Sequence, residues 1–135
     1  RERILVVDDN ADGAEMLRDA LALLGHDVRV AHDGPTALEV ASRFEPRIAL
    51  LDIGLPVMDG YELAAALRQR LRNGPLRLIA ITGYGQEEDQ RRSAAAGFEL
   101  HLIKPIDLAK LAHVVERERN AAKARSDLEE RSDVR

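Results

Sequence analysis

The stretch Arg47-Ile48-Ala49-Leu50-Leu51-Asp52-Ile53-Gly54-Leu55-Pro56-Val57-Met58-Asp59-Gly60 decides the fold. An unbroken apolar run leads into a single carboxylate, Asp52, and the chain then breaks into a turn. Four consecutive apolar residues between Glu45-Pro46 and Gly54 suit a strand covered on both faces, where an ionised carboxylate is excluded unless something compensates it. Asp52 therefore needs partners from elsewhere in the chain.

Outward from this stretch the same pattern recurs. Ile4-Leu5-Val6-Val7 is an apolar run that also ends in acids, Asp8 and Asp9, and a helical pattern begins at Asp12, with Leu17, Leu21 and Leu24 spaced by three and four and Gly25 as its stop. Val28 to Ala31 alternates apolar and charged residues, so one of its faces or edges meets water. Asp33-Gly34-Pro35 turns the chain, and Pro35 suits a first helical position before Ala37, Leu38, Ala41 and Phe44. Beyond Gly60, which with Asp59 makes a turn and a helix start, Leu63, Leu67 and Leu71 mark another helix closed by Asn73-Gly74-Pro75.

Leu78-Ile79-Ala80-Ile81 is a fourth strand and delivers Thr82 to a Gly83-Tyr84-Gly85 turn. The helix after it, roughly Glu87 to Ala96, has no Leu, Ile or Val; it buries little and is expected to be the most mobile. Leu100-His101-Leu102-Ile103 delivers Lys104-Pro105. Asp107 is placed to cap a last helix that carries Leu108, Leu111, Ala112 and Val115. Five strands alternating with five helices predict one parallel α/β sheet with helices on both faces. Its continuous apolar strands should be central, and the second and fifth should be edges, which agrees with 2-1-3-4-5, a common order of doubly wound sheets.

From about Glu116 charge replaces the apolar stripe, with six basic and six acidic residues to Arg135. The expected division is a domain over residues 1–115 and a charged helical extension, linker or disordered tail over 116–135. The 135 residues suffice for one domain with a real core, and aromatics at 3% make that core aliphatic. Cysteine is absent, so thiolate and disulfide chemistry are out, and a cytoplasmic location is expected. A net charge of -4 provides no general attraction to nucleic acid or anionic lipid, and no apolar run approaches the roughly 18 residues of a membrane span. The start at Arg1 suggests an excerpt of a longer protein.

In a parallel sheet the carboxyl ends of the strands share one edge, where ligands bind at the topological switch. Asp8, Asp9, Asp52, Thr82 and Lys104 should therefore converge. Three adjacent carboxylates cannot all stay ionised without countercharge. Lys104 supplies one positive charge and a divalent metal would supply two. Mg²⁺ (or Mn²⁺) suits such an oxygen-rich site, and with no His or Cys cluster zinc is disfavoured. A phosphoryl group on Asp52 would employ every neighbour. The metal and Lys104 would neutralise its oxygens and the Thr82 hydroxyl would donate a hydrogen bond, with Asp52 as the nucleophile.

Across about residues 3 to 115 the chain resembles a response-regulator receiver domain of two-component phosphorelay signalling. The resemblance is carried by Asp8-Asp9, by Leu51-Asp52-Ile53 with Leu55-Pro56 and Met58-Asp59-Gly60, by Ile81-Thr82-Gly83 and by Lys104-Pro105. Each motif alone is weak; in order and each at a strand end, they are highly specific. The resemblance implies the flavodoxin-like receiver fold and phosphorylation of Asp52 by a partner histidine kinase or histidine phosphotransfer protein. It further implies Mg²⁺ ligation by Asp9, Asp52 and the Gly54 carbonyl, with Asp8 helping through water. Thr82 and Lys104 are implied to read the phosphoryl group, and Lys104-Pro105 to be a cis peptide. A homodimer through the fourth helix, last strand and last helix, and an origin in a hybrid sensor kinase, are compatible with it.

His101 departs from the family pattern, which more often has Tyr or Phe there as a switch coupled to the threonine. Tyr84, two residues after Thr82, is placed to shield the phosphoryl group from water. His26, His32 and His113 read as surface residues. Two rival functions use the same residues. One is a phosphatase forming an aspartyl-phosphate intermediate, but such enzymes carry a second acid where Asn10 follows Asp8, and no cap domain is present. The other is an unphosphorylated docking module, against which the intact acidic site argues. A dinucleotide-binding fold is disfavoured because no Gly-x-Gly-x-x-Gly follows a strand.

Overall fold

In a computed structural model of the chain the described residues are 1–72, 74–83 and 95–116. By its contacts the chain divides into two compact units, Arg1–Pro105 and Ile106–Arg135. The first contains β1 (Arg3–Val7), α1 (Ala11–Leu23), β2 (Asp27–Ala31), α2 (Gly34–Phe44), β3 (Ile48–Asp52), α3 (Gly60–Arg70), β4 (Arg77–Thr82) and β5 (Phe98–Ile103). The five strands form one sheet in the order β2-β1-β3-β4-β5, and every neighbouring pair is parallel. The expected fourth helix and Tyr84 lie, for the most part, outside the described residues, as does the tail beyond residue 116.

The pleat explains why β1, β3 and β4 read as continuous apolar runs. Leu5, Val7, Ala49, Leu51, Leu78 and Ala80 join Ala37, Leu38 and Ala41 of α2 and Leu63, Ala64 and Leu67 of α3 in one buried cluster. The alternate positions Ile4, Val6, Ile48, Leu50, Ile79 and Ile81 are just as buried, on the opposite face, and α1 buries Ala14, Leu17 and Leu21. Because β1 is followed by a strand on one side of it and β2 by a crossover to the other, right-handed connections place α1 and α2 on opposite faces. The edge strands are also as expected. β2 exposes Arg29, which bonds Asp27 at 2.8 Å and lies over the Phe44 ring at 4.9 Å, and β5 exposes Glu99 and Ile103.

The helices begin on side-chain caps, each satisfying an otherwise orphaned N–H of the first turn. Asn10 accepts from the Gly13 N–H, Asp33 from Thr36 and Asp59 from Glu62. Asn10, not Asp8 or Asp9, therefore caps α1, and those two acids are left for other work. In the second unit the helix over 108–116, here α4, starts where Asp107 accepts from the N–H groups of Ala109 and Lys110. Leu111, Val114 and Val115 are its buried apolar residues, while Leu108, expected in that stripe, is 39% exposed.

Candidate functional site

β1 and β3 are neighbours, so their carboxyl ends bring Asp8 and Asp52 to the same edge of the sheet. Both are buried, at 1% and 7% exposure, and Asp9 beside them is exposed. One carboxylate oxygen from each of Asp8, Asp9 and Asp52 lies within 4.8 Å of the others. The donors are all hard oxygens, a set that fits a small divalent cation and offers nothing to a soft one.

Lys104 arrives from the end of β5. Its backbone N–H bonds the carbonyl of Thr82, the last residue of β4, at 2.7 Å, which holds Lys104 beside the end of that strand. The Lys104–Pro105 peptide is cis. Lys104 Nζ lies 2.9 Å from Asp8 Oδ2 and 3.6 Å from Asp52 Oδ2, so it bonds the first and faces the second. The other oxygens are held by backbone: the Gly54 N–H donates to Asp52 Oδ1 at 2.9 Å, and the Asn10 N–H donates to Asp8 Oδ1 at 2.9 Å.

Burial pushes the Asp52 carboxyl above its ordinary range, and the neighbouring Asp8 charge adds to that; the Gly54 N–H and the Lys104 charge pull the other way without cancelling it. For Lys104, burial alone would lower the pKa, but the bond to Asp8 and the charges of Asp52 and Asp8 leave it raised, so the ammonium persists. The result is a buried carboxylate beside a fixed cation.

The loop after β3 is shaped around Asp52. Gly60 donates its N–H to the Ile53 carbonyl at 3.1 Å, and a Cβ on Gly60 would fall 2.7 Å from the Asp52 carbonyl oxygen and 2.8 Å from Ile53 Cα. Only glycine lets the first turn of α3 approach this closely. Val57 in the same loop has φ 69° and is 95% exposed, an unusual backbone for a β-branched residue.

His101 stands on β5 in register with Ala80, while Thr82 is paired with Ile103. Both His101 ring nitrogens are buried with no hydrogen-bond partner among the described residues. Sequence reading misses the role of His32. It is exposed, as expected of a surface residue, yet its Nδ1 donates to the Asp8 backbone carbonyl at 3.0 Å, joining the loop after β2 to the one that carries Asp8 and Asp9. No sequence signal points to this bond, since the acceptor is a main-chain atom.

The sheet is thus a doubly wound parallel one, with three carboxylates and a lysine gathered at the carboxyl ends of its strands. The chain belongs to the response regulator receiver domain family, whose description matches residues 4–116. It is a phosphoacceptor signalling domain. An uncharacterized 14.6 kDa protein from the sodA1 3' region of Leptolyngbya boryana is 37% identical over 113 residues, covering 84% of this chain and 86% of that protein. The sensor histidine kinase RcsC of Escherichia coli K12 is 37% identical over 105 residues, covering 78% of this chain and only 11% of the kinase. Among solved structures, a CheY-like receiver domain protein from Methanospirillum hungatei JF-1 superposes with a TM-score of 0.82 at 28% identity, covering 92% of this chain and 98% of that one. Among the described residues no helix is long and apolar enough to cross a membrane.

Proposed function

We propose that Asp52 is the phosphoacceptor and takes its phosphoryl group from a phosphohistidine of a partner histidine kinase or histidine phosphotransfer protein. The observation that carries this is the placement of Asp52: a buried strand end, oriented by the Gly54 N–H, faces Lys104 inside a cluster of three carboxylates. An Asp52 oxygen forms a P–O bond as the P–N bond of the phosphohistidine breaks, and the electron pair of that bond returns to the imidazole nitrogen.

Asp9, Asp52 and the Gly54 carbonyl would hold Mg²⁺ or Mn²⁺, with Asp8 acting through water. The ion supplies positive charge against the phosphoryl oxygens. Lys104, fixed by Asp8, supplies the second positive charge and needs no rearrangement to do so. Thr82, tied to Lys104 through the backbone, would offer its hydroxyl to the phosphoryl group and carry the change to the partner-facing surface. A coupling of about 1–3 kcal/mol suffices for such a switch. The module is a regulatory phosphoacceptor whose only chemistry is transfer of the phosphoryl group from the donor to its own Asp52 and its later hydrolysis.

Incubation with acetyl phosphate and Mg²⁺ should add one phosphoryl group to the wild-type chain and none to Asp52→Asn, as read by intact mass. Persistent labelling of the variant would assign the phosphoacceptor elsewhere.

A further inference from the structure

The amino ends of the same strands carry a second charged site that phosphoryl transfer does not use. Arg3 begins β1 and Arg47 immediately precedes β3, and the Arg47 N–H donates to the Arg3 carbonyl at 2.9 Å. Both arginines line one cavity. Arg70, the last residue of α3, completes the group. The three line a cavity of about 360 Å³ whose apolar wall includes Leu71 and Pro75 and whose only acid is Glu45.

None of the three has an ion pair among the described residues. Arg3 Nε donates instead to the Glu45 backbone carbonyl at 2.9 Å, and both residues line the cavity. Neighbouring acids are already engaged: Asp27 by Arg29 at 2.8 Å and Glu99 by Arg77 at 3.1 Å. In the adjoining cleft, where Arg1 joins Arg3 and Arg47, Glu2 and Asp27 are the acids present. Like charges on neighbouring strands repel, and an anion between them removes that repulsion. Guanidinium forks match phosphate oxygens in pairs, and the volume lies in the range of small-molecule sites, not that of an extended peptide groove.

We infer that the Arg3–Arg47–Arg70 cavity binds the diphosphate group of a small molecule. Arg47 directly precedes β3 and Asp52 ends it, about 16 Å apart by strand rise, so this site is separate from the phosphoacceptor and stands whether or not Asp52 is phosphorylated.

Calorimetric titration of the full chain with pyrophosphate and with ADP, in Mg²⁺-free buffer at fixed ionic strength, tests this. Both should bind saturably with one site per chain. Arg47→Ala/Arg70→Ala should weaken binding by about tenfold or more, the scale of lost charge-assisted bonds, and should leave phosphorylation by acetyl phosphate unchanged. Asp52→Asn should bind as tightly as wild type. Equal affinities would assign recognition to the diphosphate alone, and tighter ADP binding would add a contact to the apolar wall. Absence of saturable binding by either ligand, undiminished binding by the double arginine variant, or loss of binding in Asp52→Asn would overturn the inference.

Discussion

At the carboxyl ends of the strands charge is held inside the fold, whereas at the amino ends it is left in water. Asp8 and Asp52 are buried and every oxygen of theirs has a defined neighbour: a backbone N–H on one side, Lys104 on the other. Arg3, Arg47 and Arg70 are exposed, and among the described residues a single bond to a main-chain carbonyl is the only tether of their side chains. The difference teaches what each end is built for. Buried acids with fixed partners are preorganised and carry a standing electrostatic cost that a bound cation relieves. Exposed guanidinia lose little by waiting unpaired.

The contrast should appear most strongly in the backbone. At Gly60 a methyl group would meet the Asp52 carbonyl and Ile53 Cα, neither of which can give way; at Gly74, beside the arginine cavity, a Cβ meets nothing within 4 Å. Gly60→Ala should cost about 2–3 kcal/mol in chemical denaturation, and Gly74→Ala should stay within about 0.5 kcal/mol of wild type. Equal effects would mean that the carboxyl end is no more tightly built than the amino end.

Lys104→Met should come next, at about 1–2 kcal/mol in metal-free buffer, because it removes the charged bond to a buried acid. Added Mg²⁺ should recover part of that loss by taking over as countercharge. A loss that Mg²⁺ does not touch would argue that Lys104 and a cation do not share the acids.

Asp52→Asn should give the smallest effect and one of opposite sign. The folded state holds the Asp52 proton more tightly than the unfolded chain, chiefly through burial. Its contribution to stability is therefore fully present below the ordinary aspartate range and is lost as pH rises through the raised folded value. At neutral pH without metal the variant should show a slightly higher Tm than wild type, and the gain should vanish as pH falls into the ordinary aspartate range. A lower Tm at neutral pH, or a difference independent of pH, would contradict the cost assigned to the buried charge.

The carboxyl end is legible in the sequence because its signal is local. A buried strand is an apolar run, and the acid that ends it stands out against four such residues; the alternation in β2 and the polar His101 in β5 mark these two as edges beside the continuous central runs. What escapes such reading depends on tertiary contacts. His32 reaches a backbone carbonyl on another loop, the Gly60 approach is set by the path of the chain after Asp52, and Arg3, Arg47 and Arg70 come from three elements whose charges read singly as solvated surface. Leu108 reads as part of the last apolar stripe, yet it starts the helix and is 39% exposed, while Val114, outside that spacing, is buried.

The central claim is that the carboxylate delivered by the third strand is itself modified. Wild-type chain phosphorylated with acetyl phosphate and Mg²⁺, reduced with borohydride to convert the acyl phosphate to homoserine and mapped by peptide mass, should show that conversion at Asp52 alone. Conversion at Asp8 or Asp9, with Asp52 intact, would contradict it.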